Sequence, residues 1–121
     1  MIRIDMRTSR GQNAREHWRA TARRVKAEKQ AVAWMLAGKP KPPVPCTVQI
    51  TRVAPSNGLD DDNLAGALKA CRDQIAEWLG VDDKHQERVR YVYAQRRGPW
   101  AVEVAFGEPV AEVAFKALEV A

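Results

Sequence analysis

The chain has 121 residues, 45% of them hydrophobic and 29% charged, with 20 Lys and Arg against 15 Asp and Glu for a net charge of +5. That length fits one domain spanning residues 1–121, with a core that needs no disulfide support, and eight aromatic residues argue against a disordered chain. No apolar run approaches the roughly 20 residues that cross a bilayer, and the first ten residues lack a signal-peptide core, so a cytoplasmic protein without membrane contact is expected.

In chain order, residues 1–13 read as a short polar segment with a turn at Gly11-Gln12-Asn13. An Ala-rich stretch predicts a long helix over 14–37, ended by the Gly38 to Pro43 segment. Its expected apolar stripe is Ala14, Trp18, Thr21, Ala22, Val25, Val32, Met35 and Leu36. Arg15, Arg19, Arg23 and Lys26 recur at helical spacing and share another face, which suits either solvent or a phosphate backbone. Residues 40–45 form a stiff Pro-rich connector. Residues 46–51 alternate apolar and polar, as a strand does, and 54–58 read as a loop.

A second helix is predicted over 61–79 from the 3.6-residue period of Leu64, Ala67, Leu68, Cys71, Ile75, Trp78 and Leu79, with Gly80 ending it. Val89, Tyr91 and Tyr93 mark another strand. After the turn at Arg97-Gly98-Pro99, the alternation of Trp100, Val102, Val104 and Phe106 predicts its hairpin partner. A short terminal helix is expected from Val110, Val113, Ala114, Ala117 and Leu118, with Pro109 in its first turn. The fold class is α+β: one small mixed sheet packed with two main helices and a short third one.

Cys46 and Cys71 lie on apolar stripes with no CxxC spacing, so both read as buried thiols, and neither His17 nor His85 has a metal-ligand companion. Charge is unevenly placed. Residues 1–45 carry a net +8 and residues 46–121 a net −3. Acidic residues concentrate at Asp60-Asp61-Asp62 and Asp82-Asp83. An Asp before a helix caps it, and first-turn carboxylates suit the helix dipole. Three in a row, followed by Asn63, exceed what capping requires, and such a concentration of carboxylates suits a hard divalent cation. At 3.6 residues per turn Asp62, Lys69 and Asp73 fall within about 40° of one another, and Gly66 leaves the middle of that edge open.

The pattern Asp60-x-Asp62-Asn63-Leu64, a helix carrying Lys69 and Asp73, and then Asp82-Asp83 resembles the RusA-type Holliday junction resolvases of phages and prophages. Gln12-Asn13, a long helix, a strand, the acidic helix and a closing hairpin follow in that family's order, over most of the chain. The resemblance implies a homodimer that cuts four-way and other branched DNA with Mg²⁺, or Mn²⁺, in recombination and repair. It implies Asp60, Asp62 and Asp83 as catalytic carboxylates and metal ligands, with Asp82 as an auxiliary metal ligand. The family's catalytic lysine falls at Gly66 here, and Lys69, one turn further on, is the candidate to replace it. Arg15, Arg19, Arg23 and Lys26 would hold DNA. Two alternatives remain open at this point: a non-catalytic nucleic-acid-binding protein with a structural acidic cluster, and a protein-interaction module using Trp18, Trp34, Trp78 and Trp100.

Overall fold

The structure, a computed structural model, describes residues 1–8, 18–82 and 87–109. It comprises β1 (Ile2–Ile4), α1 (Trp18–Leu36), β2 (Cys46–Ala54), α2 (Asp61–Ala67), α3 (Lys69–Leu79), β3 (Val89–Arg97) and β4 (Ala101–Gly107). The four strands form one mixed sheet in the order β1-β4-β2-β3, so the fold is α+β as expected. The expected terminal helix over 110–118 lies outside the described residues.

The expected hairpin is not formed. β3 pairs with β2 in parallel, Cys46 opposite Val89 through Ala54 opposite Arg97, while β4 pairs antiparallel to β2 on its other side. The short 98–100 link arches over the end of β2, where the Gly98 N–H donates to the Ala54 carbonyl at 3.0 Å. Alternation identifies strands but carries no information on partners. Here β2 offers a buried apolar row to both neighbours and occupies the centre. A further strand, β1, pairs antiparallel with β4 from within a segment that reads as polar, because three residues are too few for a periodic signal.

Side chains of one parity on each strand share a face. Ile4, Cys46, Val48, Ile50, Val89, Val102 and Val104 form the core side and meet Val32 and Leu36 of α1, Leu64 of α2, Leu68, and Cys71 and Ile75 of α3. Both cysteines are buried free thiols. Burial, and secondarily the Glu28 carboxylate, push the Cys71 thiol up to about 12, which leaves it protonated and unreactive.

The predicted second helix is interrupted at Leu68 (φ −101°, ψ 3°), giving α2 and α3. Its apolar period is retained across the break: Leu64, Ala67, Leu68, Cys71 and Ile75 are all buried. Gly80 ends α3 with φ 73°, a left-handed conformation that glycine adopts without steric cost, and its N–H donates to the Ala76 carbonyl. The stripe of α1 differs from expectation. Trp18, Ala22 and Met35 are exposed, and Glu28 takes a buried position in line with Val32 and Leu36. Arg24, one turn before Glu28, pairs with its carboxylate at 3.2 Å and makes that burial tolerable.

Candidate functional site

β2 and β3 are parallel and joined by α2 and α3, so the chain leaves the sheet at the C-terminal end of β2 and must return to the N-terminal end of β3. Asp60, Asp61 and Asp62 stand at the start of this crossover and Asp82 at its end, with both helices between them.

The start of the crossover is held by Gln95 of β3. Its side-chain amide donates to the Leu59 carbonyl at 2.7 Å and accepts from the Leu59 N–H at 2.8 Å. These two bonds fix the backbone directly before Asp60. The loop passes so close that a Cβ on Gly58 would lie 3.0 Å from the Gln95 amide. Asp60 then caps α2, its carboxylate accepting from the Asn63 N–H at 2.9 Å. Asp61 and Asp62 occupy the first turn, and all three carboxylates are exposed. The side-chain oxygen of Asn63 is buried beside them without a hydrogen-bond partner.

Lys69 is 64% exposed and donates to Asp73 at 2.9 Å, an i,i+4 pair on α3. Arg72 reaches the other Asp73 oxygen at 3.5 Å and the Tyr93 hydroxyl at 3.2 Å, tying α3 to β3. Gly66, Lys69 and Asp73 line a cleft of about 200 Å³ together with Arg24, Val25 and Glu28 of α1. A wider cleft beside it is lined by Lys29, Asp73, Glu77 and Asp82. Neither cleft includes Asp60 or Asp62. The expected shared edge thus holds for Lys69 and Asp73. Asp83 lies outside the described residues. Among the described residues, no group of three or more His, Cys, Asp and Glu side chains is arranged to hold a metal ion.

Asp60 and Asp62 lie two residues apart at the start of α2, and both are exposed. Mg²⁺ commonly takes one or two protein carboxylates, several waters and a substrate phosphate, and this pair fits that donor set.

The basic face of α1 is present as expected for Arg19, Arg23 and Lys26, all exposed, and Arg15 lies outside the described residues. Arg19 stacks on the Trp18 ring at 5.1 Å from the centroid. Trp34, 81% exposed, stands further along the helix on the side of Arg23. Trp78 and Trp100, by contrast, are half-buried. No described helix is long and apolar enough to cross a membrane.

Two residues of this region escape a motif-based reading. Gln95 and Arg52 both occupy core-side parity, after Tyr91 and Tyr93 on β3 and after Val48 and Ile50 on β2. A polar residue continuing an inward-facing row was the available signal. Comparison with known proteins finds no matching family model, no matching curated protein and no matching solved structure.

Proposed function

We propose that this protein is a metal-dependent endodeoxyribonuclease acting on branched DNA, of the RusA type that its acidic motif resembles. The observation that carries this reading is the Gln95 clamp. It presents Asp60 and Asp62 on a fixed backbone outside the C-terminal ends of two parallel strands, the usual place for a ligand site in such sheets.

Asp60 and Asp62 would hold the cation with phosphate oxygens of the DNA. Bound there, Mg²⁺ supplies charge stabilisation at phosphorus and a water of lowered pKa. The chain's own residues orient the substrate. Arg19, Arg23 and Lys26 offer cations to the backbone, and exposed Trp34 offers a flat ring to an unpaired base. Asp82, with Asp83 beside it in sequence, and Lys69 enter as auxiliary groups. A four-way junction has near-twofold symmetry, and a C₂ homodimer presents two equivalent sites to it.

A non-catalytic nucleic-acid-binding protein is the second reading. It is favoured by Lys69 being engaged by Asp73.

A nicking assay on a four-way junction and on linear duplex separates the two. Mg²⁺ or Mn²⁺ is expected to support cleavage of the junction, and EDTA to abolish it. Asp62→Asn is expected to lower cleavage by at least about 10²-fold while junction binding persists. A junction that is bound yet uncut in either metal would overturn the nuclease reading and leave the binding one.

A further inference from the structure

The end of the sheet where β2 stops and β4 begins holds an unusual cation. Arg52 is only 3% exposed. Its Nε donates to the Thr8 hydroxyl at 3.1 Å, and its guanidinium lies over the Trp100 ring, 5.4 Å from the centroid. Neither partner carries a negative charge. A guanidinium has five N–H donors, and among the described residues only this one bond is made. No carboxylate among them forms an ion pair with it.

A second guanidinium shares the ring: Arg7 lies 5.1 Å from the Trp100 centroid. Two like charges near one aromatic ring repel each other. Burying a cation without a counter-charge is strongly unfavourable in general, and cation–π contact recovers only part of that cost. Desolvation draws the Arg52 pKa below its ordinary value, although a guanidinium remains charged at neutral pH. The other buried charges among the described residues are matched. Glu28 has Arg24, and Glu103 has both Arg3 and Arg96.

We propose that Arg52 and Arg7, set against Trp100 and Thr8, form a binding site for a phosphate oxyanion. Arginine suits this role because its planar N–H pairs match two oxygens of a phosphate at once. The ring lies against the fork, and Thr8 occupies Nε, which leaves the two terminal nitrogens without a partner among the described residues. Exposed Arg7 supplies the second cation from the solvent side. The phosphate can be a free inorganic group or part of a nucleic-acid backbone. Arg52 lies opposite Gln95 in the β2–β3 register, and Gln95 clamps the residue before Asp60. A backbone phosphate held here would therefore lie one strand from the acidic turn. That last placement alone rests on the nuclease reading; the oxyanion site does not.

The test measures binding with no metal, so it is independent of cleavage. Inorganic phosphate is titrated against the protein at constant ionic strength, with chloride as the reference, and the melting temperature is followed. A single-stranded oligonucleotide in EDTA forms the second arm, its affinity measured across a salt series. Phosphate is expected to raise the melting temperature above the chloride control, and Arg52→Met is expected to remove that rise. If the ligand is a nucleic-acid backbone, Arg52→Met also lowers the salt slope of oligonucleotide binding by about 0.7 for each phosphate lost. An oligonucleotide affinity untouched by Arg52→Met, with the phosphate effect lost, assigns the site to the free anion. Should Arg52→Met not fold, exposed Arg7→Met replaces it and must at least halve the phosphate effect. A melting temperature indifferent to phosphate in the wild-type protein, or a phosphate effect that survives both substitutions, makes Arg52 a structural cation and overturns the proposal.

Discussion

Two buried charges sit on neighbouring positions of β2 and β4 and face opposite sides of one sheet. Glu103 pairs across from Thr51, and Arg52 is the next residue along β2. Glu103 receives Arg96 at 2.6 and 3.2 Å and Arg3 at 3.2 Å, so an acid from β4 is closed off by cations from β1 and β3. Arg52 receives a hydroxyl and an aromatic face. In the first cluster the buried acid is paired within the fold, and it ties β4 to β1 beside it and to β3 two strands away in the sheet. The second is incomplete, and it lies at the end of the sheet where the acidic turn is anchored. Charge that the fold satisfies internally serves the fold; the charge that the described residues leave unmatched is the one the oxyanion proposal uses.

The largest expected effect on stability breaks the complete cluster. Glu103→Gln leaves Arg3 and Arg96 without their shared anion. Removing one member of a fully buried pair costs about 3–5 kcal/mol. Here the two arginines are 41% and 50% exposed and can rehydrate, so a loss of about 1–2 kcal/mol is expected by urea denaturation. Arg52→Met, read in the same way, is expected to leave stability unlowered or to raise it, because it removes a buried charge that nothing in the described fold neutralises. Equal losses from the two substitutions would erase the distinction between the clusters.

The pH dependence sharpens the same contrast. The Arg96 hydrogen bonds, followed by the charges of Arg96 and Arg3, hold the Glu103 carboxyl below the usual range against the opposing effect of burial. A depressed pKa means that the ionised form is favoured by folding. The resulting stability is fully present above the ordinary glutamate value of about 4.3 and is lost as pH falls through the lower folded value. Stability curves of the wild type and Glu103→Gln are therefore expected to converge on acidification. Parallel curves through that range would deny Glu103 this role.

The smallest effect concerns Lys69. Its pair with Asp73 is largely solvent-exposed, so Lys69→Ala is expected to cost about 0.3–0.5 kcal/mol, a small drop in melting temperature. If the junction-cleavage rate falls by about 10²-fold at unchanged affinity, Lys69 leaves Asp73 to serve the reaction instead. The double substitution with Gly66→Lys then asks whether the charge can be supplied one turn earlier.

Local order was readable from the residues themselves. The period of Leu64, Ala67, Leu68, Cys71 and Ile75 predicted the buried face across α2 and α3, and Gly80 predicted the end of α3. The alternation of Val48 and Ile50, of Tyr91 and Tyr93, and of Val102 and Val104 predicted three of the strands. These signals are short-range, because helix and strand periods repeat within a few residues. Strand partners, by contrast, depend on which buried row sits between which neighbours. Sequence adjacency therefore suggested a hairpin of β3 and β4, and tertiary packing placed β2 between them. The candidate site divides along the same line. Asp60 and Asp62 were visible as a motif, because two carboxylates two residues apart at a helix start are a local pattern. That Gln95 anchors the residue before them, that Glu28 can be buried beside Arg24, and that Arg52 is enclosed without a counter-charge among the described residues were decided by the tertiary structure. The reason is physical: the cost of burying a charge or an amide is set by what surrounds it, and those surroundings come from residues up to 100 positions away.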